Sequence, residues 1–137
     1  MKTNTQNIKL VGKVTYGNGL GRHLGFPTAN VEPTAAMPHL EDGVWAGYAV
    51  VEGHSYPTVV NVGFSPSVVE HGGRRIEAHI VGFEGDLYGR EVALELHHHL
   101  RPERKFPTRE ALVEQIAADK EEALHRLADE ENLSDNQ

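Results

Sequence analysis

Thr28 and Asn30 stand two residues apart at the end of a glycine-rich run, and together they offer a pair of hard oxygen donors. In an extended chain that spacing puts both side chains on one side. A hydroxyl and an amide carbonyl so placed suit Mg²⁺, which prefers oxygen ligands and shares them with substrate phosphates. The run itself, Gly17-Asn18-Gly19-Leu20-Gly21-Arg22-His23-Leu24-Gly25-Phe26-Pro27, holds four glycines in nine residues. Glycine lets backbone N–H groups close on a phosphate with no Cβ in the way. Gly17, Gly19 and Gly21 are therefore candidates to cradle one, with Arg22 the nearby cation. Two better-known phosphate loops do not fit. No Gly-Lys-Ser/Thr occurs, and Pro27 biases Phe26 toward extended backbone, against the helix that a dinucleotide fingerprint opens. The loop is expected to run from a strand into another extended segment; a plain hairpin loop is the competing reading.

Glu77 is the best candidate for a base. It lies in the stretch 76–83, whose two faces are mainly apolar, so a carboxylate there needs a reason. Burial makes a carboxylate a stronger proton acceptor. The competing reading is an outward Glu beside Arg74 or Arg75. Phosphoryl transfer to an alcohol needs positioned phosphates, Mg²⁺ and a base, and no covalent intermediate. The triple His97-His98-His99 suggests a metal site at first sight. Regular alternation puts His98 with Val92, Leu94, Leu96 and Leu100, and turns His97 and His99 the other way with Ala93 and Glu95. Three imidazoles so divided cannot converge on one ion, and a polar outer face is the expected reading.

Several ordered blocks resemble the riboflavin kinase family, which includes eukaryotic kinases and the C-terminal module of bacterial bifunctional FAD synthetases. The opening Gly12-Lys13-Val14 through Gly25-Phe26-Pro27-Thr28-Ala29-Asn30 carries the most specific marker. Gly43-Val44-Trp45-Ala46-Gly47 is similar to the family's Gly-Val-Tyr-Ala strand, and Asn61-Val62-Gly63-Phe64-Ser65-Pro66-Ser67 to its Asn-Ile-Gly-x-x-Pro-Thr segment. Ile76-Glu77-Ala78-His79-Ile80, Asp86-Leu87-Tyr88-Gly89 and Leu100-Arg101-Pro102-Glu103-Arg104-Lys105-Phe106 complete the series, over about residues 10–127. One departure stands in the glycine run: the family often has Arg or Lys after the second glycine, where this chain has Leu20, leaving Arg22 as that loop's cation.

The resemblance implies ATP-dependent phosphorylation of riboflavin at the ribityl 5′-hydroxyl, giving FMN and ADP with Mg²⁺. It makes Glu77 the catalytic base, and Thr28 and Asn30 the metal ligands. Gly17, Gly19, Gly21, Arg22 and Thr28 hold the nucleotide, and the segment bearing Leu87 and Gly89 lies against the adenine. Arg101 and Phe106 are the implied flavin contacts, on a flexible loop that closes over the ring. The alternative is a flavin-binding barrel that stores or senses FMN without turnover; Glu77 and the Thr28/Asn30 pair count against it. Only about ten residues precede the kinase block, so FAD formation is not expected.

These residues need a frame. Strands are expected at 8–15, 28–31, 44–51, 56–62, 76–83 and 91–100, with turns at Gly53-His54, Gly72-Gly73 and Gly85-Asp86. Many short strands at this spacing suggest a closed or sandwiched antiparallel sheet; the resemblance makes it a mainly β, six-stranded antiparallel Greek-key barrel with one C-terminal amphipathic helix. Thr108 can cap that helix after Pro107. Leu112, Val113, Ile116, Ala117, Ala123, Leu124 and Leu127 give it an apolar stripe, and Glu110, Glu114, Asp119, Glu121, Glu122 and Arg126 an outer face. The expected division is an N-terminal extension at 1–9, one kinase domain at 10–128 and an acidic, disordered tail at 129–137.

Composition narrows the partners. The 137 residues suit one domain with its own core. With 20 acidic against 13 basic residues the net charge is −7, which argues against nucleic acid. There is no cysteine, no apolar run near the ~18 residues of a membrane span, and no signal-peptide pattern in the polar first seven residues. A cytoplasmic monomer without a membrane partner is expected.

Overall fold

Every second residue of Ile8–Thr15 (β1) is buried, with Lys9, Val11 and Lys13 turned outward. That period of two is the signature of a strand with one face on a core. The same logic builds Ala29–Pro33 (β2), Gly43–Val51 (β3), His54–Phe64 (β4), Arg74–Ile80 (β5) and Glu91–Arg101 (β6), followed by the helix Arg109–Asp135 (α1). The computed structural model describes residues 6–15, 28–35, 39–64 and 74–135.

The six strands close into an antiparallel barrel in the order β1-β2-β5-β4-β3-β6. Strands β3, β4 and β5 form a meander, and β2 lies beside β5, which is the Greek-key arrangement. Inside, Leu10, Val14, Val31, Trp45, Val60, Val62, Ile76, Leu94 and Leu96 share one core. Trp45 is satisfied there by its indole N–H, which donates to the Glu41 carbonyl at 3.0 Å. A second, smaller cluster lies outside the barrel. Ala46, Ala123 and Leu127 pack there with Tyr48, Val59 and Leu100, and this is where α1 rests.

Strand bounds follow local turn chemistry. The β3–β4 connection is two residues long, with Glu52 at φ 51° and Gly53 at φ 83°. Two consecutive positive φ values make the primed turn that matches the twist of a hairpin, one residue earlier than the expected Gly53-His54. The strand expected to reach Phe83 stops at Ile80, because Gly82 turns the chain at φ 86°. Helix α1 begins as expected: the Thr108 hydroxyl accepts the Ala111 N–H at 3.1 Å, an N-cap.

Two expectations for the helix are corrected. Its contact line runs through Leu112, Ile116, Asp119, Ala123, Leu127 and Glu130, steps of three and four that keep one face toward the barrel. Asp119, expected outside, is only 3% exposed, whereas Ala117 faces solvent. The acidic stretch from 129 is helical through Asp135 rather than a disordered tail. Glu130 helps explain this, because it is tied to the barrel.

Strand β6 departs from regular alternation twice. Opposite β3, Ala46 pairs with His98 but Gly47 with Leu96, and Val44 pairs with Arg101 but Trp45 with His99. His97 and Leu100 are therefore extra residues, each a β-bulge. Each bulge turns two successive side chains outward. His97 and His98 both reach Glu130, at 2.6 Å each, and Leu100 and Arg101 both face α1. His99 instead stacks edge-on against Trp45 at 4.9 Å. The expected facing of His98, His99 and Leu100 is thus reversed. Among the described residues no three His, Asp or Glu side chains form a metal cluster.

Candidate functional site

Register brings the candidate residues together. Thr15 of β1 faces Asn30 of β2, Asn30 faces Glu77 of β5, and Glu77 faces Asn61 of β4. The row continues through Val44 of β3 to Arg101 of β6. Directly paired residues share a face. Since Ile76 and Ala78 point into the core, the whole row lies on the outer surface of the barrel. An amide, a carboxylate and a second amide stand on neighbouring strands there. Thr28 is exposed and sits two residues before Asn30, at the mouth of β2.

Glu77 is not the buried carboxylate that apolar neighbours suggested. Its side chain is 26% exposed and pairs with Arg75 at 2.5 Å. Its own face carries Arg75 and His79, not apolar residues. The outward geometry of the competing reading is therefore the observed one.

The glycine segment, with Gly17, Gly19, Gly21 and Arg22, lies outside the described residues. It spans the connection between β1 and β2, whose ladder ends at Thr15 and Asn30. The segment 86–90 is stitched to the same end of β1: Gly89 N–H donates to the Val14 carbonyl and Val14 N–H to the Arg90 carbonyl, both at 2.9 Å. Leu87 is buried in the core at 7% exposure, while Gly89 is exposed at φ 80°. Tyr88 N–H donates to the Asp86 carboxylate at 2.9 Å, which sets the turn.

Arg101 is held by a fork. Its Nε donates to Asp119 Oδ1 at 2.9 Å and its Nη2 to Oδ2 at 2.8 Å. Gln115 donates to the same Oδ1 at 2.9 Å, and Arg104 donates to Gln115 Oε1 at 3.1 Å. The two guanidiniums flank Phe106, with Cζ atoms 5.6 and 4.9 Å from its ring centre. On the other side the Glu103 carboxylate occupies the space where a Cβ on Gly63 would stand. Gly63 is one row along from Asn61 and faces Arg75. The loop 102–106 is thus seated between α1 and the strand that carries Asn61.

Asn61 and Gly63 lie within a motif block, and the sequence alone shows no task for either. Register puts Asn61 opposite Glu77 and Gly63 opposite Arg75, and register is not visible until strands are paired. Asp119 was legible in one respect: it falls on the three-and-four line of the apolar stripe, where an acid calls for a partner.

Comparison with known proteins agrees with this frame. The Flavokinase family (riboflavin kinase) matches residues 4–127. The bifunctional riboflavin kinase/FMN adenylyltransferase of Pseudomonas fluorescens is 39% identical over 112 residues, covering 82% of this chain and 36% of that protein. Among solved structures, riboflavin kinase from Trypanosoma brucei matches with TM-score 0.68 and 26% identity, over 90% of this chain and 81% of that one. A macrolide-efflux protein from Streptococcus pneumoniae matches with TM-score 0.75 and 32% identity, over 82% of this chain but 37% of that one. The chain spans about 36% of the length of the bacterial bifunctional relatives it matches. With the match running through nearly every strand of a barrel that sets Asn30 beside Glu77, this chain belongs to the riboflavin kinase family.

Proposed function

We propose that the chain phosphorylates riboflavin at the ribityl 5′-hydroxyl, using ATP and releasing FMN and ADP. The observation that carries this reading is the register of Asn30, Glu77 and Asn61 across three strands, at the end of the barrel where the glycine segment joins β1 to β2. Thr28 and Asn30 suit Mg²⁺ by donor type, both being hard oxygens on one side of an extended chain. Among the described residues, no side-chain hydrogen bond occupies either oxygen. When bound, Mg²⁺ neutralises phosphate charge. Glu77 takes the proton as the hydroxyl oxygen forms its bond to the γ-phosphorus and the bond to ADP breaks. Asn61 orients the ribityl chain beside it. Gly17, Gly19, Gly21 and Arg22 hold the phosphates, and the 86–90 turn with Gly89 borders the nucleotide. Arg101 and Phe106 present the loop to the flavin.

In this reading the protein works as a cytoplasmic monomer on small molecules. Among the described residues no helix is long and apolar enough to cross a membrane. Incubating the purified chain with riboflavin, ATP and Mg²⁺ and resolving the flavins by chromatography tests the assignment. FMN is the expected product. Riboflavin bound but unconverted would refute turnover and leave a flavin-binding barrel.

A further inference from the structure

We propose that Asp119 is a positioning residue for riboflavin: from the helix it fixes Arg101, and through Arg101 the loop that receives the flavin. The inference rests on the assignment of Arg101 and Phe106 as flavin contacts, and adds a residue of α1 to that site.

Four observations lead there. Asp119 is the buried acid on the contact line of α1, with its side chain 5% exposed and that of Arg101 17%. Both of its oxygens are used by one guanidinium in the two-pronged geometry that fixes orientation as well as distance. Gln115, one turn earlier, joins the same carboxylate to Arg104, so one acid governs both cations beside Phe106. Among the described residues, the hydrogen bonds of the network do not reach Thr28, Asn30, Glu77 or the 86–90 turn. A defect at Asp119 is therefore felt at the loop and not at the nucleotide end.

Geometry also sets what Asp119 does. A guanidinium pinned by two bonds cannot swing freely to a ligand. Its plane is set in advance, and with it the ring of Phe106, which the second guanidinium covers from the Arg104 side. Affinity then comes from a loop ordered before the flavin arrives, since ordering it on binding costs free energy. Removal of the carboxylate leaves Arg101 half-buried without its partner, and the loop is left with the bond from Arg104 to Gln115 of α1 and with Glu103 lying against Gly63 of β4.

The test is titration calorimetry with riboflavin in the presence of ADP and Mg²⁺, alongside KM values for riboflavin and ATP, for Asp119→Asn, Asp119→Ala, Gln115→Ala and Phe106→Ala. Loss of a charge-assisted pair predicts riboflavin binding weakened by roughly 10- to 100-fold in Asp119→Ala. A smaller change in the same direction is expected in Asp119→Asn and in Gln115→Ala, with the KM for ATP little moved. Circular dichroism checks that α1 persists; should Asp119→Ala fail to fold, Asp119→Asn and Gln115→Ala decide. Weakening by Phe106→Ala alone overturns the inference and leaves the loop as flavin site. Equal rises in both KM values mark a merely structural acid and also overturn it. Unchanged riboflavin binding in Phe106→Ala removes the flavin assignment of the loop, and the inference with it.

Discussion

Glu77→Gln separates a catalytic base from a scaffold carboxylate by a margin that the structure makes large. The Arg75–Glu77 pair is 2.5 Å apart with side chains 30% and 26% exposed. A partly solvated pair of this kind contributes about 0.2–1 kcal/mol, and a glutamine oxygen still accepts from Arg75. Against a typical domain stability of about 5–15 kcal/mol, the variant remains folded. Loss of a general base lowers kcat by roughly 10²–10⁴. At about 1.36 kcal/mol per tenfold that is ~2.7–5.4 kcal/mol of transition-state stabilisation, several times what the ion pair is worth. Unfolding cannot mimic it. FMN formation followed by chromatography gives kcat and the KM for riboflavin, and thermal melts give stability. The expected pattern is a steep fall in kcat, a KM changed far less because the amide keeps the ground-state contact, and a melting temperature close to the parent's. A kcat near the parent value, with or without a small loss of stability, refutes Glu77 as the base and leaves it as Arg75's partner.

Thr28→Ala and Asn30→Ala are each expected to lower turnover and to demand more Mg²⁺, measured as rate against Mg²⁺ concentration; parental rates at limiting Mg²⁺ in both remove them as ligands. Tyr48 has its hydroxyl pushed up to about 12, first by burial and then by Glu131 and Glu130. Its proton is held more tightly in the folded state than in the unfolded, where the value is 10.0, so stability is intact below pH 10 and declines from there toward 12. Ultraviolet titration reads this, and Tyr48→Phe should lessen the alkaline loss; ionisation of Tyr48 at an ordinary tyrosine pH would contradict it. Glu130→Ala deprives two half-buried imidazoles of their partner and should cost about 1–3 kcal/mol in urea unfolding, whereas an unmoved midpoint would show that the contacts contribute nothing.

Where the chain alternates without interruption, its residues declare the fold. β1 has the expected bounds because Leu10, Gly12 and Val14 alternate with exposed neighbours to both ends. The start of α1 was readable from Thr108, since capping is a local event. β6 was misread in its second half for a definite reason. A bulge is a property of two strands, created where Gly47 and Ala46 meet Leu96 and His98, and neither strand reveals it alone. Gly47 itself marks the place: a Cβ there would run into the Glu95 carbonyl of the facing strand. The placements of Asn61 and Asp119 were hidden in the same manner, one by register and the other by a polar residue lying on an apolar line. Thr28, Asn30 and Glu77 were singled out from types and motif, yet the idea of a dry carboxylate failed because the face of β5 that carries Glu77 also carries two basic side chains, Arg75 and His79.

The bulges of β6 also amount to spare length. Seven residues of β3, 44–50, lie alongside nine of β6, 93–101. Two residues are therefore surplus to the pairing, and the barrel would close without them. A chain lacking both His97 and Leu100 could keep Leu96, His99 and Arg101 facing as they do now, since each doublet would shrink to a single outward residue. Such a shortened barrel would keep its lining and forfeit half of the grip that β6 has on the helix, one imidazole from Glu130 and one leucine from the cluster around Leu127. The surplus is thus the length that fastens the helix, and a shorter variant of this strand should part company with its helix before it loses its barrel.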